Sequence, residues 1–106
     1  MLNAPQAPEL LSQIKKMSGT PVYDEEKAEV WLIGILILNC MSLTHYNKFY
    51  NWQEKTVDCK LIETTLYKIG GVYSPLLRDL VEHCLEEIPK KRCSMAAIKQ
   101  FITIRK

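Results

Sequence analysis

Val30-Trp31-Leu32-Ile33-Gly34-Ile35-Leu36-Ile37-Leu38 is the segment that most limits how this chain can fold. At about 100° per residue, a helix built from it carries apolar side chains in every direction and has no solvent face. Such a helix either crosses a membrane or forms the centre of a bundle. The apolar run from Val30 to Leu43 is interrupted by Asn39, and it falls short of the about 20 residues a crossing needs. It reads as a buried core helix, with no membrane span, and the rest of a 106-residue chain must enclose it. At that length residues 1–106 form one domain, because too little surface is buried to support two cores.

The flanking sequence supplies four more helices, so the fold class is all-α with five helices. Pro8 to about Met17 reads as the first, with proline in its first turn and lysines near its end, as a helix dipole favours. Ser18-Gly19-Thr20-Pro21 breaks the chain. The central helix runs from about Asp24 to Ser42, with Asp24, Glu25 and Glu26 in its first turn. Thr44–Gln53 is a polar and aromatic connector, read as a loop anchored by Phe49 and Trp52. Asp58–Ile69 makes a third helix, with Leu61, Ile62, Leu66 and Ile69 near one side and Gly70-Gly71 as its stop. Ser74 caps a fourth helix with Pro75 at its first position. There Leu76, Leu77, Leu80, Val81, Cys84 and Leu85 form one apolar face. Ser94 caps the last helix, whose core residues are Ala97, Ile98, Phe101 and Ile102. No stretch alternates as a strand would.

Charge and cysteine content exclude several function classes. Fourteen basic against twelve acidic residues leave a net charge of +2, with only Arg105 and Lys106 forming a small basic end. The aromatics around Lys48 could stack on the bases of a single strand, but no second basic stripe accompanies them, so nucleic acid is not an expected partner. The four cysteines, Cys40, Cys59, Cys84 and Cys93, contain no CxxC pair, so no zinc site is expected. His83, Cys84 and Cys93 could converge around one turn, but Cys40 and Cys84 lie in apolar surroundings that suit buried free thiols. The start of the chain lacks the basic and apolar pattern of a secretory signal. The expected location is therefore a reducing, cytoplasmic compartment.

Three segments carry a resemblance. Ala7-Pro8-Glu9 resembles the APE motif of the eukaryotic protein kinase family, and Glu29-Val30-Trp31-Leu32-Ile33-Gly34 resembles that family's Asp-x-Trp-x-x-Gly signature. Pro89-Lys90-Lys91-Arg92, after the amphipathic helix from Leu76, resembles its Pro-x-x-Arg turn. In this order they resemble the lower part of the kinase C-terminal lobe over nearly the whole chain, as in a truncated or pseudokinase-like form. The resemblance implies that Glu9 and Arg92 form a buried bidentate ion pair, which the planar guanidinium suits and an ammonium does not. Three departures accompany it. Glu29 stands where the family has Asp, the Glu9-to-Glu29 spacing is longer than usual, and Cys93 replaces a usual Pro. In an alternative register Ala4-Pro5-Gln6 is the motif, and Arg92 then lacks its Glu.

The sequence has no Gly-rich phosphate loop, strand Lys, His-Arg-Asp base or Asp-Phe-Gly metal ligand. Phosphoryl transfer depends on those parts, so the expectation is no ATP, no cofactor, no metal and no enzymatic activity. The leading reading is a non-catalytic interaction or scaffold module, a subunit of a larger assembly. The alternative is a C-terminal fragment of an active Ser/Thr-type kinase; a third is an unrelated helical bundle. A start at Met1 favours a short chain in its own right. The kinase counterpart of the central helix is also enclosed by elements that precede the APE motif. A protein partner is therefore expected over that helix or over the connector residues Tyr46, Phe49, Tyr50 and Trp52. The rival is self-coverage by Met1–Gln6 and Ser18–Tyr23.

Overall fold

The computed structural model describes residues 6–16, 23–69 and 71–104, without the side chains of Lys15, Lys16 and Ile104. The Ser18–Pro21 break, Gly70, the Ala4-Pro5 register, most of the self-covering segments and the basic Arg105-Lys106 end lie outside these residues. Five helices account for most of the described chain: α1 (Pro8–Lys16), α2 (Glu25–Ser42), α3 (Cys59–Ile69), α4 (Pro75–Cys84) and α5 (Met95–Ile104).

The starts of α2 to α5 are each set by a short polar side chain that satisfies an orphan backbone N–H. Asp24 accepts from the Lys27 N–H at 3.2 Å, Asp58 from Leu61 at 3.0 Å, Ser74 from Leu76 at 3.2 Å and Ser94 from Ala97 at 3.1 Å. The end of α2 is less regular. Leu43 caps it in the left-handed region at φ 56°, a conformation that costs a residue with a Cβ about 1–2 kcal/mol, and its side chain is 91% exposed.

Helix α2 runs between two apolar clusters. On one side Trp31, Ile35, Leu38 and Met41 pack with Ala7 just before α1, Leu11 of α1, Phe49 and Tyr50 of the connector, Ile62 and Leu66 of α3, and Val81 and Leu85 near the end of α4. On the other, Val30 packs with Cys84 and Ile98, flanked by Ile33, Leu80, Cys93 and Met95. Helix α4 crosses closely at Gly34. A Cβ added there would lie 2.7 Å from the Cys84 Cβ and 2.9 Å from a Leu85 methyl. Gly34→Ala should therefore destabilise the fold, although alanine gains about 1 kcal/mol in helix propensity. Overpacking costs roughly 1–3 kcal/mol, so the net loss is on the order of 1 kcal/mol. Urea unfolding should show a lower midpoint with an unchanged slope.

The connector is more ordered than a loop. A single tight three-residue-per-turn helix spans Tyr46–Phe49. It leads into an antiparallel pair, β1 (Tyr50–Asn51) with β2 (Thr56–Val57), in the register Tyr50 to Val57 and Asn51 to Thr56. Asn39, which interrupts the apolar run, accepts the Tyr46 N–H at 2.8 Å and ties this unit to α2.

Several expected core positions are exposed. Leu61, Leu76 and Ile102 lie at the edges of their apolar faces and reach solvent. The larger correction concerns α2, which does have a solvent face. Glu29, Leu32, Leu36 and Cys40 follow one another along one exposed stripe, with Leu32 37% and Leu36 45% accessible. An apolar residue in every direction sets what a helix can bury; the number of neighbouring helices sets what it does bury.

Candidate functional site

The Pro89–Lys91 turn presents Arg92, whose side chain is 0% exposed. Its Nη1 donates to Glu9 Oε2 at 2.8 Å and to the Lys27 carbonyl at 2.8 Å. Nη2 donates to Glu9 Oε1 at 3.0 Å and to the Glu87 carbonyl at 3.2 Å. Nε donates to the Glu86 carbonyl at 2.9 Å. All five N–H groups of the guanidinium thus have acceptors, the condition under which a buried cation is tolerated. The Lys27 ammonium returns a bond to the Arg92 carbonyl at 2.7 Å.

The anchor continues into the core. The guanidinium carbon lies 5.3 Å from the Trp31 ring centroid, within cation–π range. Trp31 Nε1 donates to the Tyr50 hydroxyl at 2.9 Å, and that hydroxyl donates to the Gln6 carbonyl at 2.7 Å. Burial raises the Tyr50 hydroxyl far above the ordinary tyrosine range, offset only in part by the Trp31 bond, so Tyr50 stays a neutral donor. Pro8 and Ala7 start α1 beside this group, and Ala7 is itself buried. Ala7, Pro8, Glu9, Trp31, Gly34, Pro89 and Arg92 are therefore structural parts around one anchor and the adjoining α2–α4 crossing. Lys27 and Tyr50 belong to the anchor without any sequence signal of their own; Tyr50 stood out only as one aromatic among several.

Glu29 lies apart from this group. It is exposed and, among the described residues, its side chain takes no hydrogen bond or ion pair. It lines a groove of about 340 Å³ between the start of α1 and α2, with Leu10, Tyr23, Glu25, Ala28 and Leu32. The groove runs onto the exposed Leu32–Leu36 stripe.

The connector does not offer the surface expected of Tyr46, Phe49, Tyr50 and Trp52. Phe49 and Tyr50 are buried in the chain's own core, and Tyr46 and Trp52 pack against it in part. Trp52 stacks on Tyr50 with centroids 4.4 Å apart and donates to Asn47 at 3.2 Å. The aromatics close the fold because each meets an apolar neighbour within the chain.

Among the described residues no group of three or more His, Cys, Asp or Glu side chains is assembled as a metal site, and no helix is long and apolar enough to cross a membrane. His83 is exposed, with Nδ1 at 2.7 Å from the Asp79 carbonyl. Burial, reinforced by the Glu87, Asp58 and Glu63 carboxylates, pushes the Cys59 thiol up to about 11. Iodoacetamide at neutral pH should therefore modify exposed Cys40 well before Cys59. The Cys59 rate should climb as the pH approaches 11, because only the thiolate reacts. Peptide mapping after timed alkylation measures both.

The chain is 29% identical over 99 residues to the serine/threonine-protein kinase GRIK1 of Arabidopsis thaliana. It is likewise 29% identical over 101 residues to the serine/threonine-protein kinase GRIK2 of the same organism. Each match takes in 83% of this chain and 24% of the kinase, so the chain spans about a quarter of the length of the curated relatives it matches. No family model matches the chain, and no solved structure matches it. It is similar to part of a serine/threonine kinase.

Proposed function

We propose that this chain is a module derived from the C-terminal lobe of a protein kinase, without ATP binding or phosphotransfer of its own, that works by holding another polypeptide along the exposed side of α2. The observation that carries this reading is the exposed pair Leu32 and Leu36 on a helix whose other apolar side chains from Val30 to Leu38 are buried or half-buried. Contiguous exposed apolar surface of this kind marks interfaces. Asp24, Glu25, Glu26 and Glu29 are exposed at the N-terminal end of the same helix. A fitting occupant is therefore a helix with an apolar face and lysine or arginine at the end nearest those acids.

Two measurements on the purified chain test this. Sedimentation velocity and binding of an apolar dye are compared for the wild type and Leu32→Glu/Leu36→Glu. The expected result is dye binding or self-association of the wild type that the variant lacks, with matching circular dichroism. A wild type that is monomeric and dye-silent overturns the interface. Magnesium and ATP at millimolar concentration should leave the melting temperature unchanged. A saturable rise following RT ln(1 + [L]/Kd) overturns the non-catalytic reading.

The second reading is that the chain is a C-terminal piece of a serine/threonine kinase whose remaining lobe lies on the same α2 face. It is favoured by the length of the two relatives, of which the chain matches 24%. The intact mass of the native protein separates the two: 12.3 kDa fits a free module, and a several-fold larger mass fits the kinase.

A further inference from the structure

Cys84 and Cys93 meet although nine positions separate them, with their Sγ atoms 3.6 Å apart. Three independent features hold them there. Gly34 lets the end of α4 press onto α2, so Cys84 sits 0% exposed in the cluster with Val30 and Ile98. The turn through Pro89–Lys91 brings the chain back, and the Cys93 N–H donates to the His83 carbonyl at 3.3 Å. Arg92, next in sequence, is fixed by its bonds to Glu9, Lys27, Glu86 and Glu87. The thiols are thus in contact in the reduced state. A disulfide needs about 1.6 Å of further approach to reach ~2.04 Å, a change within the reach of small side-chain rotations. No carboxylate or imidazole joins them as a metal group among the described residues.

We propose that Cys84 and Cys93 are a thiol pair that peroxide converts into an intramolecular disulfide, and that this bond clamps the turn carrying Arg92 to the end of α4. Cys93 is partly exposed and Cys84 buried, so Cys93 meets the oxidant. Its sulfur takes one oxygen from the peroxide, forming a sulfenic acid and releasing water. The Cys84 sulfur then attacks the sulfenic sulfur, the S–O bond breaks, and the oxygen leaves with the two remaining protons as a second water. Each peroxide is reduced by two electrons, supplied by the two thiols. Burial holds the Cys84 thiol well above its ordinary range, against a smaller opposing pull from Arg92. Cys84 therefore stays a protonated thiol shielded from direct oxidation, and when it attacks the sulfenic sulfur already against it, its proton passes to the departing oxygen.

The closed ring contains the anchor turn but excludes α1. Oxidation therefore pre-forms the donor side of the Glu9–Arg92 pair whether or not α1 is docked. A ring of this size restricts the unfolded chain enough to raise the melting temperature by on the order of 10 °C.

The test uses the full chain, fully reduced and then exposed to a few equivalents of hydrogen peroxide. Non-reducing peptide mapping should recover one linked pair, Cys84 with Cys93, at the mass of the reduced peptides less two hydrogens. The protein should stay unchanged in oligomeric state, and the melting temperature should rise and return on reduction with dithiothreitol. Cys84→Ser should leave a sulfenic acid at Cys93 that dimedone traps, with no rise in melting temperature. Recovery of Cys93 as sulfinic or sulfonic acid with Cys84 still a free thiol overturns the proposal, as does a map in which Cys40 or Cys59 forms the only links. The wild-type map decides alone if the serine variant fails to fold.

Discussion

Arg92→Ala is expected to lower the unfolding free energy by about 3–5 kcal/mol, among the largest effects of single substitutions in this chain. Domains of this size are stable by only ~5–15 kcal/mol, so much of the population should unfold near physiological temperature. The cause is not the ion pair alone. Removing the guanidinium leaves the Glu9 carboxylate, 16% exposed, without its cation, and takes a donor from the Lys27, Glu86 and Glu87 carbonyls. A double substitution, Glu9→Leu with Arg92→Met, separates the two contributions. It removes both charges, so it should cost less than Arg92→Ala. The cost that persists measures the three carbonyls. Arg92→Lys should recover less than half of the loss, since a compact ammonium cannot serve both Glu9 oxygens and three carbonyls together. Urea titration of the set tests all of this, and an Arg92→Ala variant within about 1 kcal/mol of the wild type contradicts it.

Trp31→Ala should cost about 3–5 kcal/mol, as expected for a large aromatic deleted from a packed core. Trp31 is 0% exposed and touches both polar and apolar parts of the anchor. The loss therefore includes the cavity, the face under Arg92 and the donor to Tyr50. Trp31→Phe keeps an aromatic face but not Nε1–H, and should cost roughly 1–3 kcal/mol from the lost bond and smaller ring. Tyr50→Phe should lose a comparable amount, because the Trp31 N–H and the Gln6 carbonyl both lose their partner. Additive losses in the Trp31→Phe/Tyr50→Phe double variant would contradict the linked arrangement, since coupled neighbours depart from additivity.

Four of the helices were legible because each is started by a residue whose chemistry does the same thing in any context: Asp24, Asp58, Ser74 and Ser94 accept from the first turn wherever they stand. The proximity of Glu9 and Arg92 came from the resemblance, and nothing in local spacing specifies it. The two-residue strands Tyr50–Asn51 and Thr56–Val57 are too short to alternate, so no periodic signal could mark them. The exposure of Leu32 and Leu36 was hidden for a different reason. A helix that is apolar all round specifies a demand for burial, while the described chain has too few elements to meet it. The Cys84–Cys93 contact depends on the path of the Pro89–Lys91 turn, and the left-handed Leu43 runs against residue preference. The sequence raised the convergence of Cys84 and Cys93 around one turn, whereas the Leu43 conformation carried no signal.

The Glu9–Arg92 bridge spans 83 positions, and that separation has a consequence for the order of folding. Joining such distant residues carries a loop-closure entropy that shorter-range contacts between α2, α3 and α4 do not. The bridge should therefore be absent from the transition state and form on the native side of the barrier. Weakening it with Glu9→Gln should leave the refolding rate nearly unchanged and speed unfolding by roughly tenfold or more. In a chevron plot, only the unfolding limb should move. The bond that reaches furthest along the chain would then govern how long the native state lasts rather than how quickly it is found.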